Sequence, residues 1–142
     1  MTISSPILQP VVVLLAWSMV IWFWMLITRV PAMQAMQIRL DPRIPPKNLT
    51  DPLPPSVRWK ADNYNHLMEQ PTVFYAAALT LALTDPTSAM ALATAWVYVS
   101  LRVAHSLVQT TFNHIMTRFT LFVISSTVLI VMVVLAGRAV LR

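Results

Sequence analysis

Glu69 and Arg102 each interrupt an apolar stretch long enough to cross a membrane. Asp85-Pro86 reads as the tight turn between two long helices, with Glu69 16 residues before Asp85 and Arg102 17 residues after it. At roughly 1.5 Å of rise per residue, both stand about 25 Å from that turn. A charge placed centrally in a membrane helix costs roughly 2.5–3.5 kcal/mol on insertion scales. An acid and a base at one level on adjacent antiparallel helices relieve that cost by pairing. The spacing therefore predicts a direct or water-bridged Glu69–Arg102 contact, in one subunit or across an interface between subunits, and a polar site between helices, near one face of the bilayer.

Helical periodicity widens the site. At 100° per residue, Asp62, Asn65, His66 and Glu69 fall within about 100° of one another. On the following helix Tyr98, Arg102, His105, Ser106, Gln109 and Asn113 share a face. Two polar stripes at one depth are expected to face inward, forming a pocket with a carboxylate, a guanidinium, two imidazoles and several amides. Pro71, two residues after Glu69, removes a helix hydrogen bond to the Leu67 carbonyl and predicts a kink beside the pocket. The competing reading is that these groups only glue helices together, although ionisable groups inside a membrane point first to function. His66 and His105 lack a third ligand at fixed spacing, so no metal site is expected. The chain has no cysteine, so any sulfur nucleophile must come from a ligand.

The elements that position these residues are membrane spans. The 142-residue chain is 57% hydrophobic and 11% charged, against about 25% charged in soluble domains. Four spans are predicted in one domain, at about 10–28, 57–84, 86–113 and 119–141. Asp85 is the expected N-cap of the third, with Pro86 at its first helical position. The first span reads as an anchor rather than a cleaved signal, because no Lys or Arg precedes it and no clear small-x-small site follows. Residues 31–56 hold six prolines from Pro42 to Pro55, a density that forbids a long regular helix. With a single glycine, Gly137, close helix contacts must use Ala, Ser and Thr. Arg29, Arg39, Arg43, Lys47, Arg58 and Lys60 cluster at the 31–56 loop and its margins. Arg118 falls on the same side, while the other side has only Arg138 and Arg142. The positive-inside rule then puts both termini outside and the Pro-rich loop in the cytoplasm. The net charge of +5 is spread along the chain without the clustered patch that nucleic-acid binding needs.

Two segments carry a family resemblance: Asn65-His66-Leu67-Met68-Glu69-Gln70-Pro71 and Arg102-Val103-Ala104-His105. With four spans in about 140 residues, the chain resembles the MAPEG superfamily, the membrane-associated proteins of eicosanoid and glutathione metabolism. The resemblance covers essentially the whole chain. It implies an all-α, integral membrane four-helix bundle assembled as a homotrimer, with glutathione between subunits as co-substrate near the cytoplasmic face. It further implies that Asn65, Glu69, Arg102 and His105 contact glutathione, with Lys60 and Arg118 as further cations. Arg102 becomes the catalytic cation that stabilises a thiolate. The thiolate would attack an electrophilic lipophilic substrate or reduce a hydroperoxide.

The chain also departs from the family pattern. Ala61 stands where many glutathione-using members have Arg, Gln109 where they often have Tyr, and Glu69 follows Asn65 by four residues rather than three. These departures suit a bacterial-type member in the inner membrane. They also keep open a non-catalytic membrane protein for binding or assembly on the same fold. A small multidrug-type transporter with Glu69 as its proton site is disfavoured by the single glycine and by a fixed cation at the level of Glu69.

Overall fold

The computed structural model describes residues 5–141, so Arg142, part of the topology reading, lies outside the described residues. The described chain is helical, without strands: α1 (Leu8–Ala35), α2 (Pro46–Thr50), α3 (Pro55–Glu69), α4 (Pro71–Thr84), α5 (Ala89–Thr111) and α6 (Ile115–Val140). Three of these, α1, α5 and α6, are long and apolar enough to cross a membrane.

The second predicted span, 57–84, is two helices, α3 and α4, joined at Gln70. Pro71 has no N–H and its ring crowds the carbonyl four residues back, which interrupts the hydrogen-bond ladder there. Gln70 keeps helical angles (φ −61°, ψ −38°), so the chain carries on in the helical sense through the break. The Thr72 hydroxyl donates to the Glu69 carbonyl (2.6 Å) at the same place.

The other boundaries also move for identifiable reasons. α1 runs past Thr28 through Pro31 to Ala35, where the 31–56 segment was read as loop from its start. The Thr28 hydroxyl braces the turn before Pro31 by donating to the carbonyls of Trp24 (2.9 Å) and Met25 (3.1 Å). The helix stops at Gln37, which takes a left-handed φ of 52° while the N–H of Ile38 bonds back to the Met33 carbonyl. Asn113 (φ 51°) ends α5 the same way, its N–H bonded to the Val108 carbonyl. A chain short of glycine thus closes two helices with polar residues in the conformation glycine usually supplies. Asp85 is not the N-cap of α5. It ends α4, and Ser88 caps α5 by accepting from the Ala91 N–H (3.3 Å). α6 begins at Ile115, capped by His114, whose Nδ1 accepts from the Thr117 N–H (3.4 Å).

The Pro-rich segment is short pieces pinned locally. α2 and α3 each start on a proline, at Pro46 and Pro55, where the missing N–H costs no helix bond. Arg43 donates to both carboxylate oxygens of Asp41 (3.0 and 2.7 Å), and that guanidinium holds the Asp41 carboxyl below the usual carboxylate range.

α1 packs against α3 and α5, α5 against α6, and α6 against α4. Leu14 and Ile21 of α1, Phe74 and Leu81 of α4, Tyr98 of α5 and Met132 of α6 are fully buried among them. Phe74 stacks on Tyr98 with ring centroids 4.7 Å apart. Ala77, Ala78, Ala91 and Ala95 are buried where the helices meet, the close-contact role that the scarcity of glycine assigns to small residues.

Candidate functional site

The α5 stripe points into the protein. Tyr98, Arg102, His105, Ser106 and Gln109 are all buried. Arg102 is 1% exposed. Its Nη2 donates to the His66 carbonyl (2.9 Å) and its Nη1 to Gln70 Oε1 (3.4 Å). Gln70 Nε2 in turn donates to Ser126 Oγ (2.6 Å). The break between α3 and α4 lies beside this arrangement: Pro71 leaves the Leu67 carbonyl without its helix donor, and the buried guanidinium, which needs acceptors, takes the neighbouring His66 carbonyl. One chain of bonds, Arg102–Gln70–Ser126, thereby ties α5, the α3–α4 junction and α6 together. Asn63 Nδ2 donates to Ser106 Oγ and joins α3 to α5.

The α3 stripe does not face it. The buried residues of α3 are Lys60, Asn63 and Leu67, whereas Asp62, Asn65 and Glu69 are exposed. This corrects the expectation of two inward stripes. α3 turns to its neighbours an aliphatic side chain, an amide and a snorkelling lysine, and leaves its carboxylates solvated, because burying an unpaired carboxylate costs far more than burying a bonded amide. The expected Glu69–Arg102 contact is absent within the chain. Among the described residues the ion pairs are Arg43–Asp41, Arg58–Asp51 and His66–Glu69, the last at 3.7 Å with the Glu69 side chain 69% exposed.

The exposed stripe lines a cleft of about 370 Å³, walled by Asp62, Asn65, His66, Glu69, Gln109 and Arg118. A second cavity of about 240 Å³ adjoins it, lined by His66, His105, Ile115, Arg118, Phe119 and Phe122. His66 and Arg118 belong to both walls, and the His66 and His105 rings lie 5.9 Å apart. One space is polar and carries charges of both signs; the other is mostly apolar and aromatic. That pairing suits a small zwitterionic ligand set against an apolar one.

The residues singled out from sequence therefore separate. Asn65, Glu69 and Arg118 line the polar cleft, and His105 lines its apolar neighbour. Arg102, assigned the catalytic position, lines neither cavity and holds the backbone of His66 from behind. Lys60 also stands apart: its Nζ donates to the Ser56 carbonyl (2.7 Å) and lies 5.1 Å from the centre of the Trp24 ring. Arg118 is fixed by a bond from its Nη1 to Asn113 Oδ1. Among the described residues no group of three or more His, Asp or Glu could hold a metal ion. Sequence reasoning passed over Gln70, Asn63 and Ser126. Gln70 sits beside Pro71, and a side-chain amide next to a helix-breaking proline is the signal that could have found it.

Comparison with curated proteins and with solved structures finds no match. The sequence model of the MAPEG family matches residues 7–138, which takes in all six helices except the last two residues of α6. With an apolar helical framework around a polar cleft and a match spanning nearly its whole length, this chain belongs to the MAPEG family.

Proposed function

We propose that the protein is a glutathione-dependent membrane enzyme that transfers the tripeptide's thiol to a lipophilic electrophile or reduces a lipophilic hydroperoxide. It works as a homotrimer of four-span protomers, in which α3 and α4 together make the second span of a four-helix bundle. The observation that carries this reading is the open polar cleft where α3, α5 and the start of α6 meet. Asn65, Glu69 and Arg118 stand there with charges of both signs and no covering element from their own chain, next to an apolar cavity. A neighbouring protomer would close it. Glutathione is a zwitterion with two carboxylates and one ammonium group. Arg118 suits a carboxylate or the thiolate, Glu69 and Asp62 suit the ammonium, and Asn65 and Gln109 suit the peptide amides. Arg118 replaces Arg102 as the cation nearest the chemistry, and Arg102 becomes a positioning residue that fixes His66. The Lys- and Arg-rich loop supports a cleft that faces the cytoplasm with both termini outside, and the departures from the family pattern favour a bacterial inner membrane. The non-catalytic alternative gains from one observation: Gln109, not a hydroxyl-bearing Tyr, lines the cleft.

The test is thermal stability of the detergent-purified protein with and without glutathione. A ligand that binds only the folded form stabilises it by about 2.7 kcal/mol at a hundred times its dissociation constant. Millimolar glutathione is expected to raise the melting temperature, and Arg118→Ala or Glu69→Gln to remove the rise. No stabilisation, together with no conjugation or peroxidase turnover above the uncatalysed rate, would replace the enzyme reading by the non-catalytic one.

A further inference from the structure

The end of the molecule away from the glutathione cleft holds a polar cavity that the proposed function does not use. It measures about 230 Å³ and lies between the α4–α5 turn and the end of α6, lined by Asp85, Ser88, Met90, Leu135, Arg138 and Ala139. Asp85 and Arg138 bring opposite charges to this one space, yet neither enters an ion pair among the described residues. Their backbones are held in place. The Asp85 N–H donates to the Leu81 carbonyl (2.9 Å) and the Ser88 N–H to the Asp85 carbonyl (3.3 Å). The Ser5 hydroxyl donates to the Pro86 carbonyl (3.4 Å), and Arg138 rides on the last turns of α6. An acid and a base that line one cavity without meeting are complementary to a ligand that carries both charges. The helix dipole favours a cation near the end of α6, which accounts for Arg138 alone and leaves the carboxylate across the cavity unexplained.

Depth and surroundings narrow the ligand. The 23 residues of α5 run from this cavity to the level of the glutathione cleft. That is roughly 30 Å, about the thickness of a bilayer's hydrocarbon core. With the cleft near one membrane surface, the cavity stands at the headgroup level of the other. Val131 and Val134 are exposed, and they share one face of α6 with Arg138 at three- and four-residue spacing. Met90 of α5, also exposed, lies at the cavity's rim. Such an apolar strip accepts an acyl chain whose headgroup ends at Arg138. Among headgroups, phosphoethanolamine carries one anion and one cation. Its phosphate suits the planar fork of a guanidinium, and its primary ammonium brings three N–H donors to a carboxylate. A quaternary ammonium brings none, and a glycerol headgroup brings no positive charge.

We propose that the cavity between the α4–α5 turn and the end of α6 binds the headgroup of a phosphoethanolamine lipid, with Arg138 on the phosphate and Asp85 on the ammonium. The site is independent of the glutathione reading and shares no residue with the cleft or its apolar neighbour. The bound headgroup bridges the α4–α5 turn to α6 and fixes the depth of that end of the bundle in the membrane.

Native mass spectrometry of the intact protein in detergent tests this, with phosphatidylethanolamine, phosphatidylcholine and phosphatidylglycerol of matched acyl chains. Phosphatidylethanolamine is expected to stay bound where the other two dissociate. A basic side chain near a lipid surface contributes enough that Arg138→Gln should weaken that binding about fivefold, while Arg138→Lys keeps most of it. Asp85→Asn should bring phosphatidylethanolamine down to the retention of phosphatidylcholine and raise that of phosphatidylglycerol, a gain that misfolding would not produce. Equal retention of the three lipids by the unmodified protein would overturn the site. So would unchanged lipid retention in Asp85→Asn and Arg138→Gln together with a loss of thermal stability in both, which would show that the two residues simply pair with each other. Displacement of the lipid by an equal concentration of soluble phosphoethanolamine would overturn the lipid as the source of the headgroup.

Discussion

α3 and α5 carry polar stripes of similar composition, and the protein uses them in opposite ways. The α5 stripe is buried, and three of its groups are tied inside the chain: Arg102 to the His66 carbonyl, Ser106 to Asn63 and Tyr98 stacked on Phe74, while His105 and Gln109 face the cavities and Gln109 Oε1 has no partner among the described residues. The α3 stripe is exposed, and its one charged contact is the loose His66–Glu69 pair at 3.7 Å. A polar group enclosed by its own chain has to be satisfied there, or it costs roughly 1–3 kcal/mol. A polar group left in the open is free for a ligand or a second copy. Arg102 and Ser106 of the first stripe are therefore architecture, and the second stripe, with Gln109 and His105 at the cavity walls, is the candidate for function, although helical spacing describes both stripes equally well.

The sharpest way to break this contrast is to truncate both members of the apparent pair. Arg102→Ala removes two hydrogen bonds, leaves the His66 carbonyl and Gln70 Oε1 without that donor, and empties the volume of a large side chain. The expected cost is about 3 kcal/mol of unfolding free energy. Glu69→Ala, on the exposed face, should stay within about 0.5 kcal/mol. Denaturation in mild detergent, followed by circular dichroism, reads both. An Arg102 variant as stable as the Glu69 variant would remove the assignment of α5 as the structural stripe.

A smaller effect is expected at the α3–α5 and kink–α6 ties. Ser106→Ala takes the partner from buried Asn63, and Ser126→Ala takes it from Gln70; each should cost about 1–2 kcal/mol. Asn65→Ala, two residues from Asn63 but on the exposed face, is the control and should be nearly neutral. If Asn65→Ala is the costlier change, the facing of α3 is reversed.

How much of this was legible in the sequence follows from what each feature depends on. Long apolar runs and Pro71 act through the local chain, so α1, α5, α6 and the break before α4 could be read directly. Family membership was legible from the Asn65–Glu69 and Arg102–His105 motifs and their order. The rotation of α3 was not. Its period is the same whichever face turns inward, and the choice is settled by Leu67 and Asn63 packing against other helices. Equal depth does not make a contact either: Glu69 and Arg102 share a level by residue count, but a matched level says nothing of the angle around each helix axis. The cavity of about 460 Å³ at the start of α3 was out of reach for a related reason, since Arg29, Lys47 and Arg58 meet Asp62 and Asn65 there only once the Pro-rich segment has folded back.

The finest test is the coupling between Glu69 and Arg102, because the two views of the molecule disagree about it in kind. If the residues pair, removing either partner strands a charge, and the double change costs less than the two single changes together. The structure gives them different partners on one residue: Glu69 meets the His66 ring and Arg102 the His66 carbonyl. Arg102 is also too enclosed, at 1% exposure, for Glu69 of a second copy to reach it without repacking. A cycle of Glu69→Gln, Arg102→Gln and the double variant, measured in the intact protein, should therefore be additive to within about 0.5 kcal/mol. Any residual coupling should run through His66 and vanish when the cycle is repeated on a His66→Ala background. A coupling well above 1 kcal/mol that persists on that background would show direct contact. It would bring Arg102 back to the cleft beside Arg118 and restore it as a candidate cation for the thiolate.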